Sequence, residues 1–312
     1  MIPVIVGPTA SGKSDLGIRL AQHFNGEIIN LDSVQVYRCI YVATAKVPPE
    51  EQGGVPHHLI DIVEPTENFT AGDYARRAIE TIEEIESRKR MAILVGGTGF
   101  YLRAIQQPLF EGPATDLQLR ERLIGLRDRR GAEHLHKILQ RKDAKAAAAL
   151  SPRDWSRVMR ALEFILQTGK RFSEAQQDLP PPPALASRVQ VLALSPPREL
   201  LYAKINRRAD VMFEKGLIEE VESLIASGIP ANAKAFQAHG YRRVVEYLQG
   251  LRTQEDALNQ MKLDTRHYAK RQLSWWRAQQ EVKWIHHFGD AEQAFHEASD
   301  YLSMKIALHN ER

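Results

Sequence analysis

The chain is poor in cysteine, in long apolar runs and in net charge, and each shortage excludes a class of protein. Its single cysteine, Cys39, can close no intramolecular disulfide and supply no thiolate cluster, which points to a reducing compartment and away from a cysteine-built zinc site. Cys39 itself is expected to be a small, half-buried side chain. No apolar stretch approaches the roughly 20 residues of a membrane span. The opening Met1-Ile2-Pro3-Val4-Ile5-Val6 reaches a glycine turn without a basic leader or a signal-peptide core. A cytoplasmic protein with no membrane partner is therefore expected. A net charge of +3 is too small to announce a polyanionic partner, and no internal repeat is present.

What is there is a chain of 312 residues, long enough for two domains or one domain with a large insertion. Val4 to Val6, Glu27 to Leu31, Met91 to Val95 and Val189 to Leu194 read as strands, with helical spacing at 15–24 and 73–88 between them. Strands alternating with helices predict an α/β fold: a P-loop-type, mostly parallel sheet flanked by helices, with its site beyond the strand carboxyl ends. From Asp116 to Lys170 only helical spacing occurs, and Pro180 to Pro183 forms a stiff connector. The expected division is a catalytic core of residues 1–115 and 185–312, closed by helices at about 197–227, 240–250 and 254–279, and an all-helical insertion of residues 116–184. Residues 116–172 hold fourteen Lys or Arg against seven Asp or Glu, leaving the rest of the chain net acidic. Such segregation suits either a solvated helix face or a module that touches phosphates.

Gly7, Pro8, Thr9, Ala10, Ser11, Gly12, Lys13 and Ser14 fit GxxxxGK[ST] between a strand and a helix, where loop amides and a helix N-terminus surround a di- or triphosphate. Lys13 supplies a positive charge and Ser14 is the candidate Mg²⁺ ligand. An ordinary P-loop NTPase places an Asp after a second apolar strand, but Ile93-Leu94-Val95 leads into Gly96-Gly97-Thr98-Gly99. The strand-end carboxylate here is Asp32, placed either to take a proton from an attacking acceptor or to cap the following turn. The glycine run is either a close approach to ligand or a plain tight turn. His57 and His58, adjacent on an extended segment, point opposite ways, which favours a structural role over a metal pair.

Taken in order, GPTASGKS (7–14), LDSVQVY (31–37), TAK (44–46), PHHLIDI (56–62), LVGGTGFY (94–101), RALEF (160–164), HGYRRV (239–244) and TRHYAKRQLSWWR (265–277) resemble the tRNA dimethylallyltransferase family over about residues 4–285. The resemblance implies Mg²⁺ dependence, dimethylallyl diphosphate as donor, and as acceptor the adenosine just 3′ of the anticodon in the tRNA anticodon stem-loop. It implies that Thr9 to Ser14 cradle the diphosphate, that Asp32 is the general base toward the N6 amine, and that Asp32, Ser33, Val34 and Gln35 grip the flipped base. Thr98 would act at the bridging oxygen, and Lys13 and Arg208 would steady the leaving diphosphate. Arg120, Ser156, Arg157, Val158, Met159, Arg160, Gln237, Gly240, Tyr241 and Arg242 fall where family members touch tRNA. The chain is expected to act as a monomer. Tyr41, Ala43, Val47, Ala144 and His239 depart from the family's usual Asp, Gly, Pro, Pro and aliphatic residue, and the first two border the catalytic loop.

The chemistry suits these residues. Adenine N6 is a poor nucleophile, so proton removal must accompany attack, and cations with oriented N–H groups stabilise the departing diphosphate. The amide of Gln35 suits an adenine edge. The alternatives are an adenylate prenyltransferase acting on free nucleotide and a small-metabolite kinase, while a non-catalytic tRNA binder has no need of a diphosphate loop.

Overall fold

The protein was studied as a computed structural model that describes residues 1–110, 112–177 and 179–310, and it divides into two compact units, 1–106 with 184–312 and 107–183. The first unit begins with β1 (Ile2–Val6), every residue of which is buried. The loop after it leads into α1 (Lys13–His23), which starts at Gly12 with φ 84° and buries Leu16, Gly17, Leu20 and Ala21. There follow β2 (Gly26–Leu31), the short β3 (His57–His58), α2 (Ala71–Ser87), β4 (Met91–Gly96) and α3 (Gly99–Gln106). A reciprocal cap sets the start of α2: Asp73 N–H donates to Thr70 Oγ1 at 3.1 Å while Thr70 N–H donates to Asp73 Oδ2 at 2.9 Å.

The second unit holds α4 (Leu117–Arg130), α5 (Ala132–Lys142), α6 (Ala144–Ala149), α7 (Trp155–Thr168) and α8 (Phe172–Ala175). Its core gathers Leu123, Leu135, Leu139, Val158, Met159, Leu162 and Phe164. The sequence places its start at 116, whereas the structural unit begins at 107, because Phe110 packs edge-on against Phe164 at 4.8 Å and Phe172 at 5.0 Å. Buried Asp143 ties α6 to α8 by accepting from Ala146 N–H, Ser173 N–H and Ser173 Oγ. These bonds outweigh its burial and hold its carboxyl below the usual range.

The chain returns to the first unit through β5 (Val189–Leu194), α9 (Arg198–Glu214), α10 (Leu217–Ala226), α11 (His239–Leu248), α12 (Gln254–Arg277), β6 (Val282–Ile285) and α13 (Glu292–Asn310). The sheet runs β3-β2-β4-β1-β5-β6, parallel throughout, with Val4 opposite both Leu94 and Val191. Because all strands point the same way, the residues after β1, β2 and β4 meet along one edge. Three expectations change. The helix read over 197–227 is two helices, broken at Gly216 with φ 87°. The sequence shows neither β6 nor α13, and shows β3 only as the extended segment of His57 and His58. Cys39 is exposed, not half-buried, because it sits in a turn with φ 62° that holds its side chain off the core. His58, by contrast, has the structural role expected, with Nε2 2.6 Å from buried Glu27. Among the described residues no helix is long and apolar enough to cross a membrane.

Candidate active site

The loop after β1 is shaped by close backbone packing. A side chain at Gly7 (φ 144°) would meet Leu194 O at 2.9 Å, and one at Gly12 would meet Gly289 N at 2.8 Å. Gly289 N–H donates to Ser11 O at 2.8 Å, so the segment ahead of α13 braces the loop from outside. Lys13 Nζ donates to Pro8 O at 2.8 Å. Burial pulls its ammonium down to about 8, opposed by the charge of Asp32 and reinforced by Arg208. Ser11 is fully buried and its Oγ has no hydrogen-bond partner among the described residues.

Asp32 follows β2. Its Oδ1 accepts from Val34 N–H at 2.8 Å and Gln35 N–H at 3.4 Å, an Asx turn, while its Oδ2 accepts nothing from the described residues. One oxygen of this carboxylate therefore caps the turn, and the other is left without a partner among the described residues. Thr98, after β4, accepts from Ser33 N–H at 3.0 Å through Oγ1. Gly96 allows the approach, since a Cβ there would lie 2.2 Å from Leu31 O.

A cavity of about 530 Å³ opens over this edge. Thr9, Ala10, Asp32, Ser33, Val34, Thr98, Arg208, Gln237 and Gly240, all singled out from the sequence, lie on its wall. Apolar surface comes from Phe69, Tyr101, Ile205, Met212 and Met261, which gives the cavity room for a hydrocarbon next to its charged end. Arg208 makes no hydrogen bond or ion pair among the described residues. Burial lowers its pKa and the Asp32 carboxylate counteracts the fall, so a guanidinium with spare donors faces the site.

Other expected residues lie elsewhere. Gly7, Pro8, Ser11, Gly12, Lys13 and Ser14 are not on the cavity wall. Ser14 and Gln35 line a separate space of about 20 Å³, room for about one water. The Gln35 amide donates to Thr44 O at 3.0 Å and Ala45 O at 3.1 Å, so it holds the loop after Asp32 in shape. Tyr241 is buried, and its hydroxyl donates to Glu220 Oε2 at 2.6 Å. Burial and that carboxylate raise its phenol pKa. Arg242 is exposed and pairs with Glu246 at 3.2 Å. In the second unit Val158 and Met159 face the core, Arg157 is exposed, and Arg120 grips buried Glu163 through two bonds of 2.6 and 2.8 Å.

Several residues around the site were missed from the sequence. Gln272 accepts from Thr9 N–H at 2.9 Å and donates to Gly97 O at 3.1 Å, joining the phosphate loop to the Thr98 turn. Tyr268 lies on the cavity wall, and burial and the nearby Asp32 charge raise its phenol pKa. Tyr268 and Gln272 stand four apart on α12, one helical face, which was the available signal. His239 packs edge-on to Tyr268 at 5.4 Å. Glu220 accepts from Tyr41 N–H at 2.7 Å and Val42 N–H at 3.2 Å, so backbone groups anchor the stretch where Tyr41 and Ala43 depart from the family. Ala43 N–H donates to Tyr241 Oη at 3.3 Å.

The family model described as IPP transferase matches residues 35–279. A tRNA dimethylallyltransferase of Solibacter usitatus is 45% identical over 303 residues, covering 96% of this chain and 97% of the relative. One of Koribacter versatilis is 45% identical over 291 residues, covering 92% and 93%. Among solved structures, the full-length tRNA isopentenylpyrophosphate transferase of Bacillus halodurans superposes with a TM-score of 0.73 at 38% identity, covering 99% of this chain and 98% of the other. A eukaryotic dimethylallyltransferase acting on tRNA superposes with a TM-score of 0.73 at 31% identity, covering 88% and 69%.

Proposed function

Because the chain belongs to the IPP transferase family and is a prenyl-transferring, tRNA-modifying enzyme, we propose that its cavity joins dimethylallyl diphosphate to the N6 amine of the adenosine immediately 3′ of the anticodon. The observation that carries this reading is the meeting of Asp32, Thr98 and Arg208 on one cavity wall whose edge is the phosphate loop at Thr9 and Ala10. The diphosphate lies along the loop at Thr9 and Ala10, with Arg208 on the same wall and Lys13, held to Pro8 O within the loop, supplying further charge. The dimethylallyl group lies against the apolar wall. The flipped base rests on the Asp32 to Gln35 turn, where Gln35 fixes the backbone that meets it.

The N6 lone pair attacks the allylic carbon as that carbon's bond to oxygen breaks, and the electron pair leaves with the diphosphate. Asp32 Oδ2 takes the N6 proton. Arg208, Lys13 and the loop amides stabilise the leaving charge, and the Thr98 hydroxyl donates toward the bridging oxygen. No cluster of three His, Cys, Asp or Glu able to hold a metal occurs among the described residues. Mg²⁺, as the family resemblance implies it, would be carried mainly by the diphosphate, and Ser14, which lines the separate small space and not the cavity wall, is its candidate protein ligand. Bound there, Mg²⁺ would neutralise diphosphate charge. A tRNA acceptor agrees with work in the cytoplasm.

Incubation with labelled dimethylallyl diphosphate, Mg²⁺ and either tRNA or AMP tests the reading. Label is expected in tRNA alone. Equal labelling of AMP would make it an adenylate prenyltransferase, and ATP hydrolysis as fast as prenyl transfer would make the loop a nucleotide site.

A further inference from the structure

Trp155 opens α7 in the second unit and stays 39% exposed, although the same helix buries Val158, Met159, Ala161, Leu162, Phe164 and Ile165 in the unit's core. Of the chain's four tryptophans it is the one that is exposed. The Arg127 guanidinium lies 4.3 Å from the centre of its ring, and Arg127 Nε is fixed by a 2.8 Å bond to Asp128 Oδ1. Around it Ser151, Pro152, Arg153, Ser156 and Arg157 are exposed. The result is a partly exposed indole with one guanidinium over its ring and Arg153 and Arg157 beside it, Arg157 pairing with Asp154 at 2.7 Å.

Packing alone does not account for this arrangement. An exposed cation–π pair contributes little, and an indole 39% exposed forgoes part of its burial. The positive excess of residues 116–172 selects a polyanion as the partner over an ordinary protein surface. Unpaired RNA bases present a π-face together with nearby phosphates, the chemistry that an aromatic ring among arginines recognises.

We propose that Trp155, backed by Arg127, is a stacking platform for an unpaired base of the RNA substrate. The inference rests on the reading of tRNA as acceptor and adds a contact made by the insertion. Stacking on an aromatic side chain is worth about 1–3 kcal/mol per base, roughly 5- to 150-fold in affinity. It neutralises no phosphate, so its loss leaves the salt dependence alone, whereas each lost phosphate contact flattens the slope of log affinity against log salt by roughly 0.7–0.9.

The test measures the affinity of the full-length protein for an unmodified tRNA anticodon stem-loop across a salt series, with W155A, W155F and R157Q beside the wild type. W155A is expected to weaken binding at least about 5-fold along a line parallel to wild type. W155F should restore most of the affinity, and R157Q should flatten the slope. Tryptophan fluorescence should fall on RNA binding and fall less in W155F, a readout that a merely structural indole would not give. W155A binding like wild type at every salt concentration, or a quench undiminished in W155F, would overturn the platform. If the wild type neither binds nor prenylates the stem-loop, the tRNA reading itself fails; if it does both while the Trp155 variants match it, only the platform fails.

Discussion

Asp32 divides its carboxylate between structure and chemistry, and the two can be separated. Asp32→Asn keeps an oxygen to accept from Val34 N–H, so the turn persists, but it removes the base. Single-turnover transfer is expected to fall by about 10²–10⁴-fold with tRNA and donor binding nearly unchanged; a wild-type rate at neutral pH would remove Asp32 from the mechanism. Lys13 gives the pH dependence. Its folded pKa of about 8 lies below the ordinary 10.5, so between these values the unfolded chain binds the proton that the folded one has released. Its contribution to stability therefore rises with pH across that window. Donor affinity runs the opposite way, falling as pH climbs through about 8 because the ammonium that meets the diphosphate is lost. Titrations near pH 8.5 in buffers of different ionisation heat should show proton uptake on diphosphate binding, and Lys13→Met should abolish it.

At the scale of elements, α12 ties the site together through a single buried side chain. Gln272→Ala unties Thr9 N–H and Gly97 O at once. A cost of about 1–3 kcal/mol in stability is expected, with a raised KM for the donor and a smaller change for tRNA, read from initial rates with each substrate varied. An equal rise in both would mean that Gln272 only packs. This link also marks where the sequence stops being legible. Asp32 and Thr98 could be found because parallel strands bring their carboxyl ends together, so a strand-end residue is a site candidate wherever it falls in the chain. Gln272, Glu220 and Tyr268 act on loops more than 170 positions away, and only tertiary packing brings them there. Among the elements, β1, β2, β4 and β5 show in the sequence as apolar runs because they are buried. Val282–Ile285 carries Lys and Trp at an edge and breaks that pattern, and Gly216 ends a helix whose apolar spacing runs on past it.

At the scale of the whole molecule, charge on the insertion must be sorted into what is free and what is spent. Arg120 falls where the family resemblance expects tRNA, yet its guanidinium holds Glu163, which is 0% exposed, while Arg160 reaches the same carboxylate only at 3.7 Å and also donates to Pro113 O. Removing one partner of a buried pair strands the other, a loss on the order of 3 kcal/mol. Arg120→Gln is therefore expected to lower the melting temperature of the insertion. At a temperature where the insertion stays folded, the salt slope for tRNA should keep its wild-type value, because no phosphate contact has been lost. Donor binding, measured by calorimetry with diphosphate, should persist above the insertion's melting point, since the cavity and its loop are built from residues of the other unit. A flattened slope in a fully folded Arg120→Gln protein would instead mean that Arg120 meets a phosphate and that its grip on Glu163 is exchanged for it when tRNA binds.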